Sequence, residues 1–506
     1  MELLAALRGL LSSCFHAPSL FLFFITFILL LDFMKRRKGG TSYPPGPSSW
    51  PFFGNLLQVD FHKLPRSFDQ LSKKFGNVFS FQLGWINLVV VNGYDAVKET
   101  LVTKSEDTSD RPSMPLMKKM GFRKDCEGIV MARYGRGWKD TRRFTISTLR
   151  NFGLGKKSLE ERVTEEASCL CAAFETQDGC PFDPHFLINN AVSNVICSIV
   201  FGDRFEYDDE KFQRMLHIME ESLKTGTGLL PQVMNLFPVL VHVPFLMRKV
   251  FQPQEDIYCF MKEIIKEHQK TFDPATTRDF IDAFLVEMEK TKDNPSDTFS
   301  LDNLIITAGD LFGAGTETTS TTLRWGLLYM ILYPDIQSQV HKEIDTVIGR
   351  SRRPTMADQI NLPFTNAVIH EIQRCGDIVP LSLPHMTSCD TEIQGFFVPK
   401  GVGIFINLTS VLKDKTLWER PHQFYPEHFL DANRNFVKRD AFMPFAAGRR
   451  VCLGEQLARM ELFLFFTTLF QRFTFTIPKN QARPRDDPFY AFTQSPHPYQ
   501  ICAELR

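Results

Sequence analysis

The chain has 506 residues, 58 Lys and Arg against 58 Asp and Glu, and 43% hydrophobic residues. Zero formal net charge excludes a generally basic nucleic-acid binder and an acidic solvating tail, and the hydrophobic content excludes a disordered chain. The 11 Cys are odd in number and scattered, with only Cys169 and Cys171 close together and no C-x-x-C pair, so neither a disulfide framework nor a zinc site is written here and a reducing compartment fits.

Between Arg8 and Asp32, 23 residues carry no acid, Lys or Arg, and Leu20 to Leu31 is almost purely Leu, Phe and Ile. A bilayer core needs ~20 apolar helical residues, so residues 1–34 are expected to form a single-pass transmembrane signal-anchor. No small-x-small cleavage site follows, which argues against a removed signal peptide. The run Lys35-Arg36-Arg37-Lys38 then places the remainder of the chain in the cytosol. On that topology the sequon Asn407-Leu408-Thr409 stays unmodified. Residues 35–50, with Tyr43-Pro44-Pro45-Gly46-Pro47, read as a basic, proline-rich, stiff hinge. Residues 51–506 contain no comparable linker, no repeat and no low-complexity block. They read as one large domain, against the roughly three that length alone suggests at about 150 residues each.

Phe79–Val91 alternates and is β-branched, which predicts a hairpin. Helical periodicity is read over Leu159–Phe174, Leu187–Phe201, Asp209–Leu223, Gln254–Thr271, Phe280–Lys290, Leu301–Leu332, Ile336–Val347, Leu362–Arg374 and Leu453–Phe473. Short strands are expected at Thr391–Val398, Val402–Asn407 and Phe473–Ile477. The fold class is therefore predominantly α with small β-sheets.

The densest chemistry lies at Phe445-Ala446-Ala447-Gly448-Arg449-Arg450-Val451-Cys452-Leu453-Gly454. One Cys sits in a Gly-containing loop just before an apolar helix, where a thiolate gains from unpaired N–H groups. Gly448 and Gly454 would let the backbone approach something flat, and Arg450 offers a cation to a carboxylate. Taken alone, the Cys is equally a buried structural thiol, the commonest fate of a free cysteine, or a nucleophile served by His385 or His428.

The complete pattern F-x-x-G-x-R-x-C-x-G resembles the haem-thiolate loop of the cytochrome P450 family. Further motifs match in the same order. Glu371-Ile372-Gln373-Arg374 resembles that family's E-x-x-R helix, whose i,i+3 spacing puts acid and base on one face. Pro426-Glu427-His428-Phe429 resembles its partner segment, with His where many members have Arg. Ala314-Gly315-Thr316-Glu317-Thr318-Thr319 resembles the oxygen-activating helix, and Trp138 with Arg142 the W-x-x-x-R pair. The likeness covers essentially the whole chain. Ala132–Gly135, Leu149–Lys157, Asp377–Pro380, His385-Met386-Thr387 and Ala458–Phe466 are similar to the vertebrate microsomal 2D subfamily.

The resemblance implies a cytochrome P450 fold with one catalytic domain behind the anchor, at the endoplasmic reticulum membrane. It implies haem b with Cys452 as thiolate ligand to iron, which pushes electron density onto the metal. Trp138, Arg142, His385, Arg450 and Arg111 would hold the propionates. Phe445 would shield the sulfur, and Gly448 would shape the loop. Glu371 and Arg374 would lock the fold. Thr318 and Glu317 would deliver protons, with the Gly313-Ala314-Gly315 run loosening the helix beside them. The implied reaction takes O2, two electrons and two protons, inserts one oxygen into a lipophilic small molecule and releases the other as water.

Asp310, Ala314 and Thr318 recur every four residues and share a helix face, with Asp310 about 12 Å from Thr318 along the axis. Such a carboxylate suits a protonated amine; the alternative, which does not exclude it, is capping of nearby N–H groups. Val130, Phe312, Leu383, Tyr490 and Phe492 are the other expected pocket residues. The stretch Lys224–Gly228 lacks the second acid common among subfamily members, which would make Asp310 the main anchor.

No flavin or dinucleotide motif follows a strand, so electrons must come from a partner. Lys139, Arg142, Arg143, Lys438, Arg439, Arg449 and Arg459 fall in segments beside the haem loop and would steer an acidic flavoprotein. By resemblance that is NADPH–cytochrome P450 reductase, with cytochrome b5 as a second donor. Oxidation of an endogenous steroid, fatty acid or amine is the alternative to xenobiotic oxidation. A haem sensor without turnover is the remote one.

Overall fold

The computed structural model describes residues 22–28, 30, 42–84, 86–112, 128–236, 238–291, 298–490 and 493–506. Most of the expected anchor, part of the hinge, and Phe492 lie outside the described residues. Residues 22–28 are helical and exposed. Among the described residues no helix is long and apolar enough to cross a membrane.

After α1 (Leu64–Phe75), β1 (Val78–Leu83) and β2 (Ile86–Val91) form the expected antiparallel hairpin. Helices α2 (Arg136–Asn151), α3 (Lys157–Glu175) and α4 (His185–Val200) follow. Next come α5 (Glu210–Thr227), α6 (Leu229–Leu236), α7 (Pro244–Lys270) and α8 (Phe280–Lys290). The long α9 (Leu301–Leu332) leads to α10 (Pro334–Val347) and α11 (Pro363–Gly376). Then come β3 (His385–Met386), β4 (Thr391–Ile393), β5 (Phe396–Val398) and β6 (Gly403–Ile406), followed by α12 (Glu455–Arg472). Strands β7 (Phe473–Thr476), β8 (Pro488–Tyr490), β9 (Gln494–Pro496) and β10 (Cys502–Leu505) close the chain. The main sheet has the order β1-β2-β6-β3, with β2 and β6 parallel, and the other sheets are two-stranded.

The bounds of α9 agree with its apolar run. Ser300 caps it by accepting from the Asn303 amide at 3.3 Å, as expected of a Ser N-cap. The helix packs on α4 and α12, so most of its second half is buried. Its glycines do not loosen it: the helix is unbroken through residues 313–315. A Cβ on Gly315 would lie 3.1 Å from Ile196, and one on Gly313 would lie 3.1 Å from the Met219 sulfur. These glycines bring α4 and α5 close.

Two sequence readings fall short for physical reasons. Helix α2 has no apolar stripe, because its buried face is Trp138, Thr141, Thr145, Thr148 and Leu149. Helix α7 starts ten residues before the expected Gln254 and runs through Pro253. Tertiary packing of Val250 with Met234 and Val241 overrides the breaker signal there. The sequon residue Asn407 is fully buried, with its Nδ2 donating to Asn92 Oδ1 at 2.8 Å.

Candidate active site

The cysteine loop contains a single helical turn, Gly448–Arg450. The Cys452 amide closes the loop by donating to the Phe445 carbonyl at 3.1 Å. Gly448 has φ +73°, and a Cβ there would overlap the Leu101 carbonyl. What this glycine accommodates is therefore backbone of the same chain. Arg459 stands 5.1 Å from the centroid of the Phe445 ring and fixes it beside the loop. The Cys452 side chain is exposed although protein surrounds it almost completely, so it faces internal space. Burial pushes its thiol up, while the Gly454 amide and Arg142 pull it back toward the thiolate. Ala314 is likewise exposed in the middle of α9, between buried Gly313 and half-buried Gly315.

Three guanidinia gather beside that opening. Arg450 lies 4.1 Å and Arg142 5.6 Å from the Trp138 ring centroid. Trp138 itself donates its indole N–H to the Ile129 carbonyl at 3.2 Å. Arg450 donates to the carbonyls of Ser109 (2.9 Å) and Ile129 (3.2 Å) as well as Ala132. Arg111 donates to those of Val130 (3.0 Å) and Leu383 (3.2 Å) as well as Pro384. Arg142 reaches the Val451 carbonyl. Buried His385 turns Nδ1 to the Thr108 carbonyl at 2.9 Å. Burial, then repulsion from Arg111, lowers the Arg450 guanidinium to about 8, and burial lowers Arg111 to about 10. Burial, then Arg111, lowers His385 to about 3. The acid within this cluster, Asp110, already accepts the Arg133 fork and the Tyr134 amide. The sequence reading missed Asp110, whose partners Arg133 and Tyr134 lie more than twenty residues away and leave no local pattern.

An excess of desolvated cations calls for anions. Its place beside an inward-facing thiol fits one flat group with two carboxylates and an iron atom. The residues present therefore fit haem b, with Cys452 as the metal ligand and Arg111, Trp138, Arg142, His385 and Arg450 around the propionates.

On α9, Thr318 donates its hydroxyl to the Ala314 carbonyl at 2.8 Å, which leaves its oxygen free to accept. Glu317 Oε1 accepts from Thr493 at 2.7 Å and from Thr321 at 3.3 Å. Burial raises its carboxyl. Thr493 is a second residue that sequence reasoning missed, because it sits 176 positions away.

Asp310 Oδ2 accepts from the amides of Ile129 (2.8 Å) and Val130 (2.9 Å). Among the described residues, Oδ1 carries no hydrogen bond. A Cβ on Gly128 would strike Asp310, so the 128–130 turn wraps the carboxylate only because residue 128 is glycine. Leu383 and Tyr490 are half-buried. Phe312 is fully buried and packs against Phe201 at 5.9 Å, facing away from the Ala314–Thr318 stripe. Two helical positions separate it from either neighbour on that stripe, a rotation of about 200°.

Glu371 and Arg374 are both fully buried and meet fork to fork, each N–H···O at 2.7 Å. The remaining Arg374 donors take the carbonyls of Leu412, Pro421 and Gln423. His428 lies 3.2 Å from Glu371, completing the cluster. Of the basic residues expected on a docking face, Lys139, Arg143, Lys438, Arg439 and Arg449 are exposed. Arg142 turns inward to the cysteine loop, and Arg459 pairs with Glu455 at 2.9 Å.

A helical fold with an inward-facing cysteine loop, a cationic cradle and an acid–alcohol pair on α9 defines a haem-thiolate oxygenase. Residues 44–503 match the family described as Cytochrome P450. Cytochrome P450 2D3 of Rattus norvegicus is 56% identical over 96% of this chain and 97% of its own length. Cytochrome P450 2D15 of Canis lupus familiaris is 56% identical over 95% of this chain and 96% of its own. Cytochrome P450 2D6 of Homo sapiens is 56% identical over 95% and 97%. The chain belongs to the cytochrome P450 family and is similar throughout to its 2D members. It is an oxidoreductase, a haem-dependent monooxygenase of small lipophilic organic molecules.

Proposed function

We propose that this monooxygenase oxidises lipophilic xenobiotics, with protonated amines anchored by Asp310 and their far end held over the haem at Ala314 and Thr318. The observation that carries this reading is the carboxylate of Asp310 on the face of α9 that bears Ala314 and Thr318, with both of its amide bonds on one oxygen. Val130, Leu383 and Tyr490 shape the remainder of the pocket.

Bound haem supplies the activation of dioxygen and the insertion of one of its atoms into the substrate. The protein supplies the rest. Cys452 would hold the iron, with the Gly454 amide and Arg142 offsetting part of the cost that burial puts on its thiolate. Phe445 packs beside the loop and keeps water from the sulfur. Arg111, Arg142, His385 and Arg450, with the Trp138 ring, bind the propionates. The Thr318 oxygen accepts a hydrogen bond from the reacting side and relays protons that Glu317 provides. Electrons come from NADPH–cytochrome P450 reductase, with cytochrome b5 as second donor, docking on the exposed Lys139, Arg143, Lys438, Arg439 and Arg449. Residues 1–34 anchor the chain in the endoplasmic reticulum membrane, with residues 51–506 on the cytosolic side.

The test compares lipophilic amines with matched neutral analogues in the reconstituted enzyme, reading the haem absorption band and product formation. Selective turnover of the amines supports the reading. Preference for neutral sterols or fatty acids would replace it with an endogenous lipid substrate.

A further inference from the structure

Arg324 follows Glu317 by seven residues on α9, so the two share a face about 10 Å apart along the axis. Long helical side chains lean toward the preceding turn, which aims Arg324 back toward Glu317. Arg324 is 8% exposed, and its Nε is buried without a hydrogen-bond partner among the described residues. A guanidinium does not shed its proton in proteins, and a buried donor left unpaired is costly.

Polar groups line the stretch between Glu317 and Arg324. Thr321 donates to Glu317 Oε1 at 3.3 Å, Ser320 donates to the Glu317 carbonyl at 3.2 Å, and Tyr499 donates to the Arg324 carbonyl at 2.6 Å. The charge of Arg324 acts on Glu317, Tyr499 and His185, and Asp183 acts on the latter two. Burial, then Arg324, lowers His185 to about 4, so it is neutral near pH 7. Glu220 of α5 acts on both Glu317 and His185. Its side chain is 31% exposed and is paired with Lys224 at 2.7 Å. Helix α5 is in reach, because Met219 borders Gly313. Titratable groups thus run from Glu317 to solvent past an unsatisfied N–H. Water, with two to four polar partners, is the occupant such a place takes.

We propose that Arg324 orders internal water between Glu317 and the Glu220–Lys224 pair, and that this water restores the proton of Glu317 in each turnover. The inference rests on the relay role of Glu317 given above. Glu317 gives its carboxyl proton toward Thr318 and becomes a carboxylate. A water whose oxygen accepts from Arg324 Nε–H points its own hydrogens at that carboxylate and transfers one. Solvent makes up the deficit through Glu220, and Arg324 keeps all of its protons. Arg324 is a positioning residue in this scheme.

The experiment uses the full-chain holoenzyme. Infrared spectra of the resting enzyme follow the protonated-carboxyl stretch of Glu317, assigned by its absence from Glu317→Gln. In Arg324→Met the midpoint of that band moves up by about one pH unit or more, as expected when a carboxylate loses a nearby guanidinium. Arg324→Lys restores it. In turnover, Arg324→Met and Glu220→Gln lower the product formed per NADPH consumed at least twofold and raise the solvent deuterium isotope effect. An unmoved band, or unchanged coupling and isotope effect, in Arg324→Met overturns the proposal. If that variant does not load haem, unchanged coupling in Glu220→Gln overturns it. Normal coupling in Glu317→Gln instead refutes the relay role itself. Normal coupling in Arg324→Met and Glu220→Gln alongside impaired Glu317→Gln refutes only the water path.

Discussion

Arg450 and Trp138 stack with the guanidinium carbon 4.1 Å from the indole centroid, and Arg142 stands 5.6 Å from the same ring. The tryptophan, held by its N–H bond to Ile129, is a platform on which two cations are oriented toward one place. Each cation is bonded to backbone carbonyls, which fix direction without neutralising charge. A stacked planar cation of this kind is not replaceable by an ammonium.

Arg450→Leu should therefore lower haem retention. Losing one charge-assisted hydrogen bond costs ~1.5–3 kcal/mol, or roughly 10–100-fold in affinity at ~1.4 kcal/mol per decade. Arg450→Lys should recover only part of it. The ratio of Soret to protein absorbance after dialysis measures the effect. Equal ratios in wild type and Arg450→Leu would remove Arg450 from the propionate site.

The Glu371–Arg374 pair should be intolerant of one-sided change. Both groups are fully buried, and removing one partner leaves the other charge unpaired, at a cost of about 3–5 kcal/mol. Arg374→Leu and Glu371→Gln are expected to yield little folded, haem-loaded protein, measured by soluble yield and thermal unfolding. A double substitution to packed apolar residues should be less damaging than either single one.

These two clusters show what a sequence can carry. Cys452 and its loop, like Glu371 and Arg374, lie within one short motif, so residue types and spacing stand side by side. Asp110 with Arg133, and Glu317 with Thr493, are joined across 23 and 176 positions by loops that leave no periodicity. Helix α9 announces itself by apolar content. Helix α2 does not, because three of the five residues on its inner face are threonine. Gly313 and Gly315 illustrate a reading that inverts: helix-weakening residues by propensity, they serve close packing once α4 and α5 are in place.

Glu461, fully buried on α12, accepts from Thr319 at 3.2 Å, and burial pushes its carboxyl up to about 8. A carboxyl raised in the folded state stabilises the fold most below its ordinary value. That stability is lost as pH rises from the ordinary value toward 8. Glu461→Gln keeps the shape and removes the ionisation. Its unfolding temperature should match wild type near pH 5 and exceed it near pH 8, by the equivalent of at most a few kcal/mol. Parallel pH profiles would mean that Glu461 titrates normally.

Asp310 gives the sharpest test of substrate recognition. Burial pushes its carboxyl up to about 6, and the Val130 and Ile129 amides restrain the rise. Only the ionised form attracts a protonated amine. Amine affinity should therefore climb as pH rises through about 6, level off, and fall again where the amine itself loses its proton. Asp310→Asn keeps a carbonyl oxygen for the two amides and abolishes the charge. A partly desolvated pair broken on one side costs a few kcal/mol at most, so the expected loss is ~10–100-fold for amines at ~1.4 kcal/mol per decade. Matched neutral analogues should change little, and the rise through about pH 6 should vanish. Spectral titration of the haem band across that range reads both quantities, once normal haem loading of the variant is established. Equal losses for amines and neutral analogues would assign Asp310 to holding the 128–130 turn, because a damaged turn harms every ligand alike.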